Sequence, residues 1–433
     1  MAAGGGTFIT QNKVLPGAYI NFISKARPLG NIGERGIVAV ALEHNFGAID
    51  NIITITNEDL QKDSLKILGY PYQHEKLQPF REMIKGAKEI LFYRLGGDGT
   101  KANATIGSLT ITAKQGGTRY NDIKIIIENN VDDGTKTVKT MIDTNILLDE
   151  QVVMNISELK ENDYVVFSGS GALTNNAGTN LQNGTDGTVN GASYQAFLDK
   201  IEPHYFNVIG FGGDDEETKG LFESFTKRLR DEEGIKITCL LVNYNKADYE
   251  GVISLDETAK DLFTWTLGQL GGCELNESLT NKKYDGEKTL TIELKKSELI
   301  EKINTGVFAF YQDKDGLRVL KDINTFTNFE SEKSSDFANN QIIRIIDNVG
   351  NDVANIFNTY YLGKEINDTD GRNLFKGELV TYFKTLQSIR AIDNFNTDTL
   401  SVEKGKEKGD VVVNVEIAPV AAMDKLYMSC IIE

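Results

Sequence analysis

The most chemically suggestive stretch of the chain is a glycine-rich turn, IGFGGDDEETKG at residues 209–220, between a predicted strand and a predicted helix. A dinucleotide-binding loop requires G-x-G-x-x-G and a P-loop requires G-x-x-x-x-G-K-[ST], so that backbone N–H groups can cradle a phosphate. Gly210, Gly212 and Gly213 match neither spacing. The acidic residues 214–217 then occupy the helix N-terminus, where they complement the helix dipole and repel an anion. We therefore interpret this stretch as a turn and an acidic helix start.

Other patterns that could bind a metal or support catalysis are incomplete. Residues 313–316, DKDG, begin like an EF-hand loop, but glycine stands at position 4 instead of 6, and Asn324 at position 12 is no carboxylate. Asp-Gly between apolar runs favours a hairpin turn. Histidines 44, 74 and 204 are far apart in sequence, and no serine lies in a G-x-S-x-G elbow. The sequence thus indicates no catalytic residue, no metal ligands and no cofactor.

Composition excludes further classes of protein. The 433 residues carry a net charge of −17, which disfavours a direct nucleic-acid binder. The three cysteines have no CxxC spacing, which suits a reduced intracellular origin. No run approaches the length of a membrane span, and the first residues contain no apolar signal segment, so we expect neither membrane insertion nor secretion.

The elements that would position any site predict an α/β (α+β) multidomain protein. Residues 206–243 read as strand, amphipathic helix and strand, the pattern of a βαβ unit in a parallel or mixed sheet. Between about 104 and 169, short β-type runs separated by Gly, Asn and Asp indicate an inserted β-sandwich or barrel. Residues 341–362 and 372–392 have the periodicity of two long helices, and Gly363 suits a position just beyond a helix.

The second of these helices has a basic face, which stands out against the negative chain. At about 100° per residue, its four basic side chains fall within an arc of about 120°, and they are Arg372, Lys376, Lys384 and Arg390. Leu374, Phe375, Leu379, Tyr382, Leu386 and Ile389 are expected on the buried side. The face is either an ordinary solvated surface or a docking surface for an acidic partner.

The last 24 residues have the pattern of edge strands, but they look like strands with no sheet of their own. Residues 410–417 place Val411, Val413, Val415 and Ile417 on one face, and residues 425–432 do the same with Leu426, Met428, Cys430 and Ile432. An exposed apolar edge is a template for pairing with another chain. Either the rest of the fold covers these strands, or a neighbouring subunit does.

Seven stretches in order resemble the contractile phage tail sheath family, in its myophage-like and tail-like bacteriocin subgroup of Gram-positive bacteria. They are PGAYI at 16–20, LTITAKQGGTRYNDIKIII at 109–127, LQNGTDGTVNGASYQAFLDKIE at 181–202, LGQLGGCELNESLTNKKYDG at 267–286, TGVFAFYQDKDGLRVLKDINTFTNF at 305–329, YYLGKEIND at 360–368, and the tail at 411–433.

This resemblance implies a structural subunit, not an enzyme, that polymerises helically around a tail tube and contracts to drive the tube through a bacterial envelope. Its partners would be copies of itself, the tube protein, and baseplate and terminator proteins at the ends. It would assemble in the bacterial cytoplasm and then belong to an extracellular virion tail or tail-like particle.

The resemblance also implies roles for particular segments. Terminal arms, here 1–20 and 410–433, would add strands to neighbouring subunits through Pro16, Gly17, Tyr19, Ile20, Val411, Val413, Val415, Ile417, Leu426 and Met428. The basic helix would face the tube, and the charged residues 402–409 would be a hinge. The implied domains are a core domain formed by two separate segments (21–99 and 191–330), an outward-facing β domain inserted between them (100–190) and a helical inner domain (331–409).

Two alternatives remain open on the residues alone. One is an intracellular α/β nucleotide-binding enzyme with a β insertion, which the missing phosphate loop disfavours. The other is a non-contractile tube or baseplate component, which the chain length, the α/β core and the helical C-terminal region disfavour.

Overall fold

The structure, a computed structural model, describes residues 33, 35–143 and 146–432. Its strands in chain order are β1 (Ile37–Glu43), β2 (Ile52–Thr56), β3 (Glu89–Leu95), β4 (Lys101–Ile106), β5 (Leu109–Gly116), β6 (Ile123–Asn129), β7 (Lys136–Ile142), β8 (Ile146–Val153), β9 (Val165–Gly169), β10 (Asn176–Asn180), β11 (Val208–Phe211), β12 (Thr238–Val242), β13 (Val252–Leu255), β14 (Val307–Phe308), β15 (Phe310–Asp313), β16 (Gly316–Val319), β17 (Ile392–Asp393), β18 (Ser401–Lys404), β19 (Val411–Asn414) and β20 (Ala418–Pro419).

The α-helices of the described residues are α1 (Asn57–Lys62), α2 (Ser64–Leu68), α3 (Gln78–Ile84), α4 (Gly191–Ile201), α5 (Glu216–Lys227), α6 (Phe263–Gly272), α7 (Lys296–Asn304), α8 (Asn340–Ile356) and α9 (Thr369–Ser388). The chain divides into two compact units. Of the described residues, the smaller unit comprises Asp352–Ser388 and Phe395–Glu416, and the larger unit comprises the rest.

A seven-stranded sheet in the order β14-β13-β12-β11-β1-β3-β2 forms the centre of the larger unit. Its strands are parallel except β2, which runs antiparallel to β3. Successive side chains of β1 enter different cores: Val38 and Val40 pack with Phe80 and Trp265, whereas Ala39 packs with Phe197 and Phe222. Because helices cover both faces, every position must be apolar, which produces the near-continuous hydrophobic runs of a parallel sheet.

The predicted βαβ unit is present as β11, α5 and β12, with Val208 opposite Thr238 in a parallel ladder. The helical stretch continues as one π-helical turn over Arg228–Glu232. The Asp-Gly turn is also confirmed as a hairpin, since β15 and β16 are antiparallel and Asp313 lies opposite Gly316. The predicted α/β class with a β insertion is therefore correct.

The insertion is a β-sandwich made of the three-stranded sheet β4-β5-β9 and the four-stranded sheet β10-β6-β7-β8. Alternate side chains such as Ile111, Ile123 and Ile125 form its own apolar core.

Two buried arginines connect the β-sandwich to the central sheet region by hydrogen bonds. Arg94 of β3 donates to the carbonyl oxygens of His44 and Gly116 at 2.8 and 2.6 Å. Arg119 of the sandwich donates to the carbonyl oxygen of Gly69 at 2.8 Å.

The two long helices differ from the predicted spans at their ends. α8 stops at Ile356 and is followed by a π-helical turn over Phe357–Tyr361, after which Gly363 has the expected left-handed φ of 69°. α9 begins three residues before the predicted start because the Asp368 carboxylate accepts a hydrogen bond from the N–H of Gly371. It ends at Ser388, and Arg390 has a φ of 63°, which cannot continue a right-handed helix.

No helix in the described part of the chain is long and apolar enough to cross a lipid bilayer.

Candidate assembly surfaces

The Val-rich stretch of the predicted C-terminal arm has a strand partner in its own chain. β19 pairs antiparallel with β18, with Val411 opposite Lys404 and Val413 opposite Val402. The connecting turn is closed by the N–H of Gly405, which donates to the carbonyl oxygen of Asp410 at 2.9 Å. The expectation that residues 410–417 have no sheet of their own is therefore wrong for this stretch. The predicted hinge loop, 402–409, is partly strand β18 and partly the turn of this hairpin.

The hairpin is a two-stranded sheet, so among the described residues each of its strands has one edge without a strand partner. Side chains of β19 alternate between half-buried Val411 and Val413 and the opposite row, where Val412 is 44% exposed. Two strands alone are marginally stable in water, and a third strand commonly completes such a sheet. This open hairpin can therefore accept an added strand.

An apolar groove of about 430 Å³ lies beside the hairpin, within the smaller unit. Three aromatic rings line it: those of Tyr361 and Phe375 have centroids 4.7 Å apart, and Phe357 lies 5.7 Å from Phe375. Leu362 and Ile366 also line the groove, although 59% and 74% of their side-chain surfaces are exposed. Burial raises the pKa of Tyr361, so its phenol remains neutral at physiological pH. We call this surface the aromatic groove.

The segment after the hairpin is first anchored and then exposed. β20 pairs with β17, where Pro419 lies opposite Ile392, and the N–H of Val420 donates to the carbonyl oxygen of Ala391 at 2.9 Å. The N–H of Ala422 donates to Oε1 of Gln341 at 2.9 Å. Met423 is fully exposed. The apolar side chains beyond Asp424 are also largely exposed, with fractions of 86% for Leu426, 87% for Tyr427, 75% for Met428, 92% for Ile431 and 94% for Ile432. We call residues 425–432 the tail segment.

The basic residues of the second helix are not equivalent. Lys384 is exposed on α9, whereas Lys376 is half-buried and Arg372 donates to the side-chain oxygen of Asn367 at 3.0 Å. Arg390 lies beyond the end of α9 and groups with the larger unit. The predicted buried side includes Phe375, Leu379, Tyr382 and Leu386 as expected, but Leu374 is 50% exposed. The predicted basic face is therefore not continuous. Three of its residues lie on α9, where Lys384 is exposed and Lys376 and Arg372 are half-buried.

Of the remaining predicted site residues, two are described by the structure and four are not. Val415 and Ile417 are half-buried between β19 and β20. Pro16, Gly17, Tyr19 and Ile20 lie outside the described residues.

The glycine-rich turn has the structure of a capped helix start. The Asp215 carboxylate accepts from the N–H of Thr218 at 2.8 Å and from its hydroxyl at 2.6 Å, and these hydrogen bonds lower the pKa of Asp215. In open α/β sheets, ligands bind where the carboxyl ends of strands meet at a switch in strand order. Here that crevice, between β1 and β11, is lined by the carboxylates of Glu43, Asp214, Asp215 and Glu217. The charged side chains that line the crevice are all negative and would repel a phosphate.

Chemically reactive groups elsewhere are occupied by structural contacts. His44 is buried, and its Nε2 lies 2.7 Å from the carbonyl oxygen of Leu68. Burial raises the pKa of the Cys239 thiol to about 12 and that of Cys273 to about 11, so both stay protonated. The described residues contain no cluster of histidine, cysteine and carboxylate side chains that could hold a metal ion.

Sequence reasoning missed the aromatic groove. Phe357 and Phe375 read as ordinary core positions of two helices, and only the packing of the turn between them creates a cavity. One signal was available, since Leu362 and Ile366 are apolar residues in a short, charged connection where solvated side chains are expected.

Comparisons with known proteins agree on one family. Four phage tail sheath profiles match successive parts of the chain: the Gp18 domain III N-terminal region at residues 35–95, the β-sandwich domain at 97–186, the central domain at 187–325 and the C-terminal domain at 332–433. Together they span nearly all of the described residues.

Individual relatives match over almost their whole length. The solved sheath tail protein of Desulfitobacterium hafniense is 40% identical, with a TM-score of 0.84 over 95% of this chain and 99% of its own. The sheath tail protein Lin1278 of Listeria innocua is 33% identical, with a TM-score of 0.79 over 92% and 95%. The phage-like element PBSX protein XkdK of Bacillus subtilis is 30% identical over 98% of this chain and 99% of its own.

A central parallel sheet, an inserted β-sandwich and an open C-terminal hairpin, matched in order by four sheath profiles and by full-length relatives, establish that the chain belongs to the phage tail sheath protein family and is a structural subunit of a contractile sheath.

Proposed function

We propose that this chain polymerises helically around a tail tube and contracts to drive that tube through a bacterial cell envelope. The observation that carries the proposal is the tail segment, whose apolar side chains are exposed directly after a stretch that is anchored to the protein's own core. A single copy leaves these side chains in water. A neighbouring copy that pairs with the segment would bury them.

Strand donation is the form of contact that the tail segment suits. An extended segment that joins an open sheet edge forms main-chain hydrogen bonds, while its alternate side chains fill pockets. The hairpin of β18 and β19 offers such an edge. We assign the tail segment of one copy as the donor and this hairpin of the next copy as the acceptor. The N-terminal residues Pro16, Gly17, Tyr19 and Ile20 are proposed as a second donated strand.

The tube is the proposed partner of the basic residues Arg372, Lys376, Lys384 and Arg390. Lys384 is the best candidate among them because its ammonium group is exposed on a long helix. A few solvent-exposed charge pairs stabilise a contact by about 0–1 kcal/mol each. Contacts of that size can hold an extended sheath on its tube and still release the tube when the sheath contracts.

Contraction needs no nucleotide in this proposal. The free energy would come from subunit contacts that bury more surface in the contracted polymer, while donated strands keep neighbouring copies connected. Baseplate and terminator proteins would bind the two ends of the polymer. Assembly would take place in the bacterial cytoplasm, before the sheath becomes part of an extracellular particle.

Polymerisation of the purified chain tests the proposal. We expect hollow cylinders in electron micrographs and a steep rise in light scattering above a critical concentration. Deleting residues 425–433 should abolish both and leave the melting temperature unchanged. Burial of three side chains, Leu426, Met428 and Ile432, is worth about 4 to 9 kcal/mol, which corresponds to about three or more powers of ten in affinity.

A matched control is Val131→Ser, which removes an apolar side chain that is 90% exposed in a loop of the β-sandwich. It should polymerise as the unchanged chain does. A strictly monomeric chain over a wide concentration range, or a truncated chain that still forms cylinders, would contradict the proposal.

A further inference from the structure

We propose that the aromatic groove receives Leu426 and Met428 from the tail segment of a second copy, and that this insertion sets the register of the donated strand. The inference rests on the strand donation proposed above. It adds which row of side chains enters the acceptor, where that row is received, and what prevents the strand from slipping.

The aromatic groove has the chemistry of an unfilled apolar site. Its volume of about 430 Å³ lies within the range of about 300–1,000 Å³ that is usual for ligand pockets. Three aromatic rings form its walls, and Ile366 projects at its mouth with 74% of its surface in water. An exposed apolar cluster of this kind marks a binding surface in a soluble protein.

The groove is continuous with the open hairpin. Val411 of β19 lines the groove and is half-buried, and Val413 lies in the same row of side chains. Val412 belongs to the other row, which is exposed to water. A strand added beside β19 would place its own side chains alternately in these two rows. One of its rows would therefore extend over the groove.

The tail segment has two rows of unequal polarity. Leu426, Met428, Cys430 and Ile432 form one, and this row is apolar throughout. The other contains Lys425, Tyr427, Ser429 and Ile431, in which an ammonium and two hydroxyls would lose their hydration if they were buried. The apolar row therefore belongs on the groove side. Met428 suits aromatic walls in particular, because a thioether sulfur packs favourably at ring edges.

Main-chain pairing alone does not fix the register of such a segment. A shift by one residue would exchange the two rows, and a shift by two would preserve the rows and all main-chain hydrogen bonds. Tyr427 and Ile431 make even the exchanged arrangement partly apolar. A cavity that holds Leu426 and Met428 removes this ambiguity. A slip by one residue would place Lys425 or Ser429 against the aromatic rings, and a slip by two would replace one of the pair by Asp424 or by the smaller Cys430.

Disulfide trapping between copies tests the insertion. The background chain carries Cys430→Ala, which removes the exposed thiol and keeps the groove-side row apolar, while Cys239 and Cys273 are buried. One variant then carries Ile366→Cys, and a second carries Met428→Cys. The two are mixed in equal amounts, polymerised and oxidised gently. We expect a disulfide-linked pair that contains one copy of each variant, because a disulfide forms only where two Cβ atoms come within about 4.5 Å.

The control replaces the neighbouring residue. Tyr427→Cys lies one position away in the same exposed segment but in the opposite row, so its cross-linking to Ile366→Cys should be at least about tenfold slower. Each variant must melt at the temperature of the background chain, which the exposure of all three positions favours, and cross-linking is compared only between variants that form cylinders.

Several outcomes would overturn the insertion and leave the proposed polymerisation intact. They are cylinders in which Met428→Cys does not cross-link, cylinders in which Tyr427→Cys cross-links at least as fast, and cylinders in which Ile366→Cys instead links to Tyr19→Cys, which would make the N-terminal segment the occupant. Failure of the unchanged chain to polymerise at all would count against the proposed function itself.

Discussion

The central sheet and the C-terminal hairpin differ in how many of their strands have a neighbouring strand on both sides. Every strand in the middle of the seven-stranded sheet has a neighbour on both sides, and Val38, Ala39 and Val40 of β1 are fully buried although they point to opposite faces. The hairpin has two strands, an unpaired edge among the described residues and an adjoining groove with exposed apolar walls. The first region is complete in one copy, whereas in our proposal the second is completed by another. If that proposal holds, folding and assembly depend on different regions of the chain.

The larger unit also contains polar contacts that only a finished core can support. Arg230 donates two hydrogen bonds to the Asp347 carboxylate, at 2.5 and 2.8 Å, and both side chains are buried. Arg344 donates to Asp322 at 2.8 Å in a similar setting. Asp347 and Arg344 belong to α8, so these pairs join the helix to the π-helical turn after α5 and to the loop after β16 of the same unit. Breaking such a pair leaves a buried charge without its partner.

Asp347→Ala is the substitution from which we expect the largest effect, and it lies in the larger unit. We expect it to lower the free energy of unfolding by about 3–5 kcal/mol, because the Arg230 guanidinium would remain buried without a carboxylate. Urea denaturation followed by circular dichroism measures the change. The control is Glu58→Ala, whose partner Lys62 is exposed like itself, and it should cost less than about 0.5 kcal/mol. A loss below about 1 kcal/mol for Asp347→Ala would show that the ion pair is not essential to the core.

Acidification tests the same region through His44. Burial lowers the pKa of His44 from 6.5 to about 4, so between these values the unfolded chain binds a proton that the folded chain does not. Stability therefore rises with pH across this window, is fully present above pH 6.5 and is lost as the pH falls towards 4. The expected contribution is about 3 kcal/mol, and it should disappear from the pH dependence of unfolding in His44→Gln.

His204→Gln, at an exposed position, is the control and should keep the pH dependence of the unchanged chain. If the free energy of unfolding varied with pH equally in His44→Gln and in the unchanged chain, His44 would not be the group responsible. If the two regions are as separate as proposed, the assembly of His44→Gln at pH 7 should match that of the unchanged chain.

Lys384→Glu is expected to have the smallest effect, and it falls in the smaller unit. The substitution should weaken co-sedimentation with tube protein a few-fold at low salt, because one exposed charge contact is worth about 0.2–1 kcal/mol. The difference should vanish near 0.5 M salt, where the screening length is only a few ångströms. Polymerisation without the tube should not change. Lys62→Glu, on an exposed helix of the larger unit, is the matched charge reversal, and an equal effect of both substitutions would remove α9 from the proposed tube contact.

Local patterns predicted those regions of the fold in which neighbours in sequence are also partners in structure. The βαβ unit of β11, α5 and β12 and the hairpin of β15 and β16 follow from periodicity and turn residues alone. Prediction failed where the partner is distant. Alternation at Val411 and Val413 indicates a strand, but it does not reveal that residues 401–404 lie beside it. Likewise, the helical period places Leu374 near the apolar side, and only packing shows that nothing described covers half of its surface.

The amino-acid sequence by itself determined the α/β class, the β insertion, the acidic start of α5 and the apolar alternation of residues 425–432. Each of these follows from side-chain type and spacing over a few residues. Only the tertiary structure decided that β19 belongs to a hairpin of its own chain, that the C-terminal segment is exposed beyond its hydrogen bond at Ala422, and that Phe357, Tyr361 and Phe375 enclose a groove. The physical reason is that exposure and cavities depend on which distant surfaces meet, and no local pattern of residues encodes that meeting.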